Sequence, residues 1–229
     1  MKRLFLGVSP DAAQVEQLLK IQTTLFKAGD KERACEGRDA DRKTANYYTG
    51  VGCRVEKQNF HMTLAFLGAV SDEMQEQLES TLDSFYAINA NQWASFDVAL
   101  DTLTLWRKPQ VLCLSGKVDD ENLQITVDRC RYAAREAGLF SGKTDKDNRS
   151  GEPAFTPHIT LFRKAKKIPQ ALLPETNLLR DELIERALIP LTLSPQQMHL
   201  YESVSTPEGV EYHIQRSWKL IPTGTSQPG

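Results

Sequence analysis

Apolar residues crowd the start of the chain. Leu4, Phe5, Leu6 and Val8 follow one basic pair and predict a buried strand over Lys2 to Val8. Ser9-Pro10-Asp11 then reads as a helix start, with Ser9 as N-cap and Pro10 at the first helical position. Val15, Leu18, Leu19 and Leu25-Phe26 recur at helical spacing behind it. From residue 28 to 52 the pattern dissolves into glycines and charges and predicts a long loop. Cys53 to Val55 reads as a short strand, and Asn59 to Gly68 as a stronger one that ends in a glycine turn. Ser71-Asp72 caps a helix reaching about Tyr86. Strands follow over Phe96–Leu105 and Val111–Val118, then a helix over Asp120–Ala137 stopped by Gly138. Residues 141–153 are polar and predict a second long loop. Thr156–Arg163 reads as a strand, and Pro169–Glu185 is weakly patterned with room for one helix. Leu188–Leu193, Gln197–Ser203 and Val210–Leu220 read as closing strands, and residues 223–229 as a disordered tail.

Short turns join neighbouring strands such as 96–105 and 111–118. That predicts an α+β fold with antiparallel sheets, and not a doubly wound parallel one. A chain of 229 residues suits one large domain or two small lobes, and we treat residues 1–229 as one unit.

Composition narrows the function classes. The net charge of -2 and the pI near 6.1 exclude a globally basic nucleic-acid binder, so any RNA contact must use a local patch. The four cysteines have no C-x-x-C spacing, which argues against a zinc site, and Cys113 and Cys130 read as small core residues. The first apolar run stops at Ser9-Pro10, too early for a signal peptide, and no segment is long enough to span a membrane. The expectation is a cytoplasmic, monomeric protein with no membrane contact and no cofactor.

The informative feature is an internal echo. His61-Met62-Thr63-Leu64 recurs as His158-Ile159-Thr160-Leu161, so two of only four histidines have Thr at +2 and Leu at +3. In a strand, alternate side chains share a face. Each motif therefore presents one imidazole and one hydroxyl together and turns its apolar residues the other way. Two such strands facing each other would surround a small anion with two imidazoles and two hydroxyls. That set suits phosphodiester chemistry without a metal. One imidazole accepts a proton while the other donates one, and threonine hydroxyls bind phosphate oxygens. A bell-shaped pH profile around neutrality follows from such a pair. Two histidines without a carboxylate or thiol fall short of a zinc ligand set, so no metal is expected. His199 and His213 lie outside any repeat and read as structural. Strand parity puts Phe66 with Leu64, in the core. Tyr47, Tyr48 and Trp106 are the candidates for stacking a base.

These motifs resemble the paired H-x-T-x signatures of the 2H phosphoesterases, and more closely their bacterial RNA 2′,3′-cyclic phosphodiesterase branch, also called 2′-5′ RNA ligase-like. Asn59 to Gly68 and Phe155 to Arg163 carry the resemblance. Arg3 to Gly7, Leu200 to Ser203, Gly209, Tyr212, Trp218 and Leu220 extend it over most of the chain. The resemblance implies two pseudo-symmetric lobes with antiparallel sheets facing a central cleft and helices outside. It implies His61 as proton donor to the ribose 3′ oxygen, His158 as the base that activates water, and a 2′-phosphomonoester product. Thr63 and Thr160 would hold the phosphate, and Arg163 would stabilise its charge. The implied partner is RNA with a 2′,3′-cyclic phosphate end, tRNA fragments among them, or a cyclic nucleotide. Arg54-Val55-Glu56-Lys57-Gln58 departs from the family's Trp-Val and prolines ahead of the first motif, and the loop at 28–52 is longer than usual. Two alternatives stand beside hydrolysis. One is reversible 2′-5′ RNA ligation by the same acid and base. The other is a non-catalytic RNA-end binding protein. Lys143, Lys146 and Arg149 in the second loop are candidates for touching the RNA backbone.

Overall fold

The computed structural model describes residues 1–35, 52–88, 93–139, 154–165, 178–207 and 209–222. Strand β1 (Lys2–Val8) leads into helix α1 (Ala12–Cys35). After β2 (Cys53–Arg54) and a 3-10 turn at Lys57–Asn59 come β3 (Met62–Val70) and α2 (Asp72–Ile88). Then follow β4 (Val98–Trp106), β5 (Val111–Gly116), α3 (Glu121–Glu136) and β6 (His158–Arg163). Helix α4 (Leu178–Glu185), β7 (Leu191–Leu193), β8 (Gln197–Thr206) and β9 (Gly209–Lys219) close the chain.

The strands form two antiparallel sheets, as the α+β reading expects. The first has the order β3-β1-β8-β9 and the second β2-β6-β5-β4-β7. Each histidine motif therefore lies in a different sheet. The helices cross over. Helix α1 follows a strand of the first sheet but covers the second. Buried Gln22 donates from Nε2 to the carbonyls of Val55 (3.0 Å) and Leu161 (2.7 Å), and Gln14 donates to Thr192 O. Helix α3 follows a strand of the second sheet but packs on the first, where Cys130 Sγ meets Met198 Sδ at 3.3 Å. Its buried face is Leu123, Val127, Cys130, Ala133 and Ala134. This exchange makes one continuous core and fixes the sheets to each other.

Several boundaries differ from the sequence reading for identifiable reasons. Helix α1 is capped by Asp11, not Ser9: Gln14 N donates to Asp11 Oδ1 while Asp11 N donates to Gln14 Oε1, both at 2.8 Å. This is a reciprocal capping box. The helix also continues to Cys35, into the stretch read as a loop from 28. Ala28, Lys31, Glu32, Arg33 and Ala34 are good helix formers, and propensity extends the helix where apolar periodicity has ended. Residues 36–51, with Tyr47 and Tyr48, lie outside the described residues, as do the 141–153 loop with Lys143, Lys146 and Arg149, and the 223–229 tail. Strand β3 runs through Gly68 to Val70, with Gly68 at φ 75° and paired to Leu4 inside the ladder. The α2 and α3 caps match expectation. Met74 N donates to Ser71 Oγ, Asn122 N donates to Asp120 Oδ1, and Gly138 closes α3 at φ 72°.

Candidate active site

The two motifs build the same local device. His61 stands immediately before β3, and His158 opens β6. In each, imidazole Nδ1 lies against the backbone carbonyl two residues upstream, Asn59 O at 2.8 Å and Thr156 O at 2.9 Å. A carbonyl only accepts, so Nδ1 carries the proton in both rings and Nε2 is left with its lone pair free. Met62, Leu64, Ile159 and Leu161 point into the core, and Thr63 and Thr160 are half-buried on the opposite face with their histidines. The period-two argument holds over these first residues.

It fails just beyond them. Gly7 pairs with Thr63 and Leu6 with Ala65, which leaves Leu64 as an extra residue on β3. Cys113 pairs with Thr160 and Leu112 with Phe162, which leaves Leu161 extra on β6. Each motif thus carries a β-bulge at its leucine, and a bulge reverses which face the following residues occupy. Phe66 and Arg163, each five residues after its histidine, return to the histidine face. Phe66 is 60% exposed, which corrects its assignment to the core. The trace available in sequence is the doubled apolar pair, Leu64-Ala65 and Leu161-Phe162, both buried.

Around His61 the first sheet is aromatic. The ring of Phe5 lies 4.7 Å from the imidazole, and Tyr212 meets it edge-on at 4.8 Å and 79°. Tyr201 stacks on Phe5 at 4.9 Å. Gly7 lies beneath, and a Cβ there would come within 2.8 Å of Met62 O, so this backbone approach needs glycine. Loss of solvation in this nest pushes the His61 pKa down to about 4. The positive charge of Arg163 and the nearness of His158 act in the same direction, and the Asn59 carbonyl opposes them. His158 is also held below its ordinary value, mainly by burial, with the Thr156 carbonyl opposing. Its ring packs on Trp106 at 4.3 Å, so that tryptophan is engaged with the imidazole. Cys113 lies under the site, buried, with its Sγ 3.7 Å from Thr160 Oγ1 and its thiol pushed up to about 11 by desolvation.

Arg163 donates from Nη2 to the Tyr212 hydroxyl, across from the second sheet to the first. The fold brings His158 and Arg163 near enough to His61 for their charges to act on it, and Thr63, Thr160 and, through the bulge, Phe66 share the faces of the two histidines. His199 and His213 do not join them. His199 is buried behind Tyr201 with Nδ1 2.8 Å from Ser217 Oγ, and His213 pairs with Glu211 on the exposed side of β9. Beyond Ser115, which pairs with His158, a polar cavity of about 550 Å³ opens, lined by Asp101, Thr102, Lys117, Asp119 and Arg180 among others. Among the described residues no three His, Cys, Asp or Glu side chains come together as a metal site would need, and no helix is long and apolar enough to cross a membrane.

A family model described as the AKAP7 2′5′ RNA ligase-like domain matches residues 6–200. The chain belongs to this family of 2H phosphoesterases. The RNA 2′,3′-cyclic phosphodiesterase of Escherichia coli (strain K12) is 33% identical over 116 residues, which are 51% of this chain and 57% of that protein. The chain thus spans little over half the length of that curated relative. Escherichia coli LigT complexed with 3′-AMP superimposes with a TM-score of 0.64 at 22% identity, over 96% of this chain and 98% of LigT. TT0787 of Thermus thermophilus does so with a TM-score of 0.59 at 20% identity, over 96% and 99% of the two chains. These likenesses place the two-sheet architecture among the 2H phosphoesterase folds.

Proposed function

We propose that this 2H phosphoesterase opens 2′,3′-cyclic phosphate ends of RNA by acid–base catalysis between His61 and His158, without a metal. The observation that carries the reading is the duplicated device itself. Two imidazoles are fixed in the same tautomer, each with a hydroxyl at +2, and Arg163 supplies positive charge near His61. The name of the Escherichia coli relative and the 3′-AMP bound by LigT support a nucleotide substrate.

In this mechanism His158 Nε2 removes a proton from water as its oxygen bonds to phosphorus. The bond from phosphorus to the ribose 3′ oxygen breaks, and protonated His61 delivers its proton there from Nε2. A 2′-phosphomonoester leaves, and transfer of a proton from His158 to His61 restores the site. Thr63, Thr160 and Arg163 bind the non-bridging oxygens, whose charge grows in the transition state. Each acid–base contribution is worth roughly 10²–10⁴ in rate. Phe66 offers an exposed ring to the terminal base.

The test is incubation of a short RNA ending in a 2′,3′-cyclic phosphate, in EDTA, with the product assigned by phosphorus NMR. A 2′-phosphate is expected. A 3′-phosphate would reverse the leaving oxygen and the roles of the two histidines, and activity lost in EDTA and restored by a metal would sink the mechanism. The cavity lined by Ser115 favours a second reading, 2′-5′ ligation, because Ser115 lies across the ladder from the base that would activate an RNA 5′ hydroxyl in place of water. Arg180→Ala and Asp101→Asn should then depress joining of two RNAs and leave hydrolysis unchanged.

A further inference from the structure

The first residues of β9 touch both halves of the site. Asn59 Nδ2 donates to Val210 O at 2.7 Å, and Asn59 is the residue whose carbonyl orients His61. Two positions on, the Tyr212 ring stands nearly perpendicular to those of His61 at 4.8 Å and Phe5 at 5.0 Å. Its hydroxyl accepts from Arg163 Nη2 of the other sheet. On its far side β9 is clamped to α2. Arg216 bonds Glu79 and Asp83 at 2.8 and 2.7 Å, and Trp218 Nε1 donates to Asp83 Oδ1 at 2.9 Å. The strand is thus a strut with a fixed outer anchor and an inner end that reaches both motifs.

We propose that Tyr212 is a positioning residue that ties the two half-sites together, holding the Arg163 guanidinium from one sheet in register with His61 from the other. Arg163 is exposed and has no carboxylate partner among the described residues. Its long side chain would otherwise sample solvent, and ordering it on the substrate would cost affinity. One N–H of the guanidinium goes to Tyr212, and the remaining donors stay available for a phosphate oxygen. The Tyr212 ring also excludes water from one side of His61, so a single side chain sets the approach of charge and the solvation of the imidazole. The inference rests on the reading that a phosphate sits between the histidines.

Its test is a double-mutant cycle read by affinity for inorganic phosphate, which does not depend on turnover, with kcat/KM on a cyclic-phosphate RNA as second readout. Tyr212→Phe keeps the ring packing and removes the acceptor. It should weaken phosphate binding about tenfold with an unchanged melting temperature, and Arg163→Ala should weaken it further. The double variant should match Arg163→Ala within about twofold, because the Tyr212 hydroxyl acts only through Arg163. Full affinity in Tyr212→Phe, or losses that multiply in the double variant, would overturn the proposal and leave the proposed function standing. A wild-type protein that binds phosphate in this coupled way but opens no cyclic phosphate would retain the strut and remove the proposed substrate. Absence of phosphate binding by the wild type would overturn both.

Discussion

His61 lies among three aromatic rings, Phe5, Tyr201 and Tyr212, whereas His158 packs, among the described residues, on Trp106 alone and faces Ser115 across its ladder. The backbone around them is nearly the same, down to the carbonyl that fixes each tautomer and the bulge three residues on. The surroundings separate the two imidazoles. Burial pushes His61 down to about 4, and His158 moves in the same direction without so large a change. Desolvation therefore disfavours the proton on His61 more than on His158. The roles proposed above need it on His61 at the moment of ring opening. A bound phosphate anion beside His61 supplies the attraction that would bring it there. Duplicated geometry makes two equivalent positions, and unequal packing is what can make one an acid and the other a base.

The harshest way to break this comparison is to remove each imidazole. His61→Ala and His158→Ala should each lower kcat by roughly 10²–10⁴ on a cyclic-phosphate RNA. The double variant should be little worse than the poorer single one, since the two act as a unit. Two single losses that multiply would mean independent roles. An RNA-end binding function that survives in the double variant, with no turnover in the wild type, would favour the non-catalytic alternative.

Acid sharpens the contrast next. The folded state resists protonating His61, whose folded pKa is depressed below the unfolded value of 6.5. Above 6.5 neither state binds that proton. As pH falls toward 4 the unfolded chain takes it up first, so the folded state loses stability through this window. The difference between 6.5 and about 4 corresponds to roughly 3 kcal/mol. His61→Gln should lose that dependence in urea melts at pH 7 and pH 4.5, and His158→Gln should lose less. The same shifts move the activity profile away from the neutral bell that two ordinary imidazoles would give. kcat/KM, which reports the free protein, should peak below pH 6.5, and kcat, with the anion bound, at a higher pH. Coincident profiles centred on neutrality would show that the nest does not control the proton.

How far the sequence carries the site depends on where strand regularity ends. From His61 to Leu64, and from His158 to Leu161, alternation alone pairs imidazole with hydroxyl. Alternation misplaces Phe66 because the bulge at Leu64 is set by pairing with β1, which is remote in sequence. The antiparallel α+β class is legible from short strand-to-strand turns. The crossing of α1 and α3 to opposite sheets is not, because it rests on contacts such as Gln22 to Leu161 and Cys130 to Met198. Tyr212 stands out in the sequence as a family-like residue without a role, since its contacts with His61 and Arg163 arise only when β9 reaches the cleft.

Phe66 gives the finest test of the comparison, because it and Arg163 occupy the same place in the two motifs. One offers a ring where the other offers a charge. If the cleft takes a nucleotide, the two sides divide it, with the base against Phe66 and the phosphate toward Arg163. Stacking of one base on an aromatic side chain is worth about 1–3 kcal/mol, and the lower part of that range suits a ring that remains 60% exposed. Phe66→Ala should therefore raise KM for a cyclic nucleotide about tenfold and leave kcat within about threefold. A ribose 2′,3′-cyclic phosphate with no base should show no such change, since it has nothing to place on the ring. Equal losses on both substrates would mean that Phe66 supports the fold of β3, and the base would have to be sought elsewhere in the cleft.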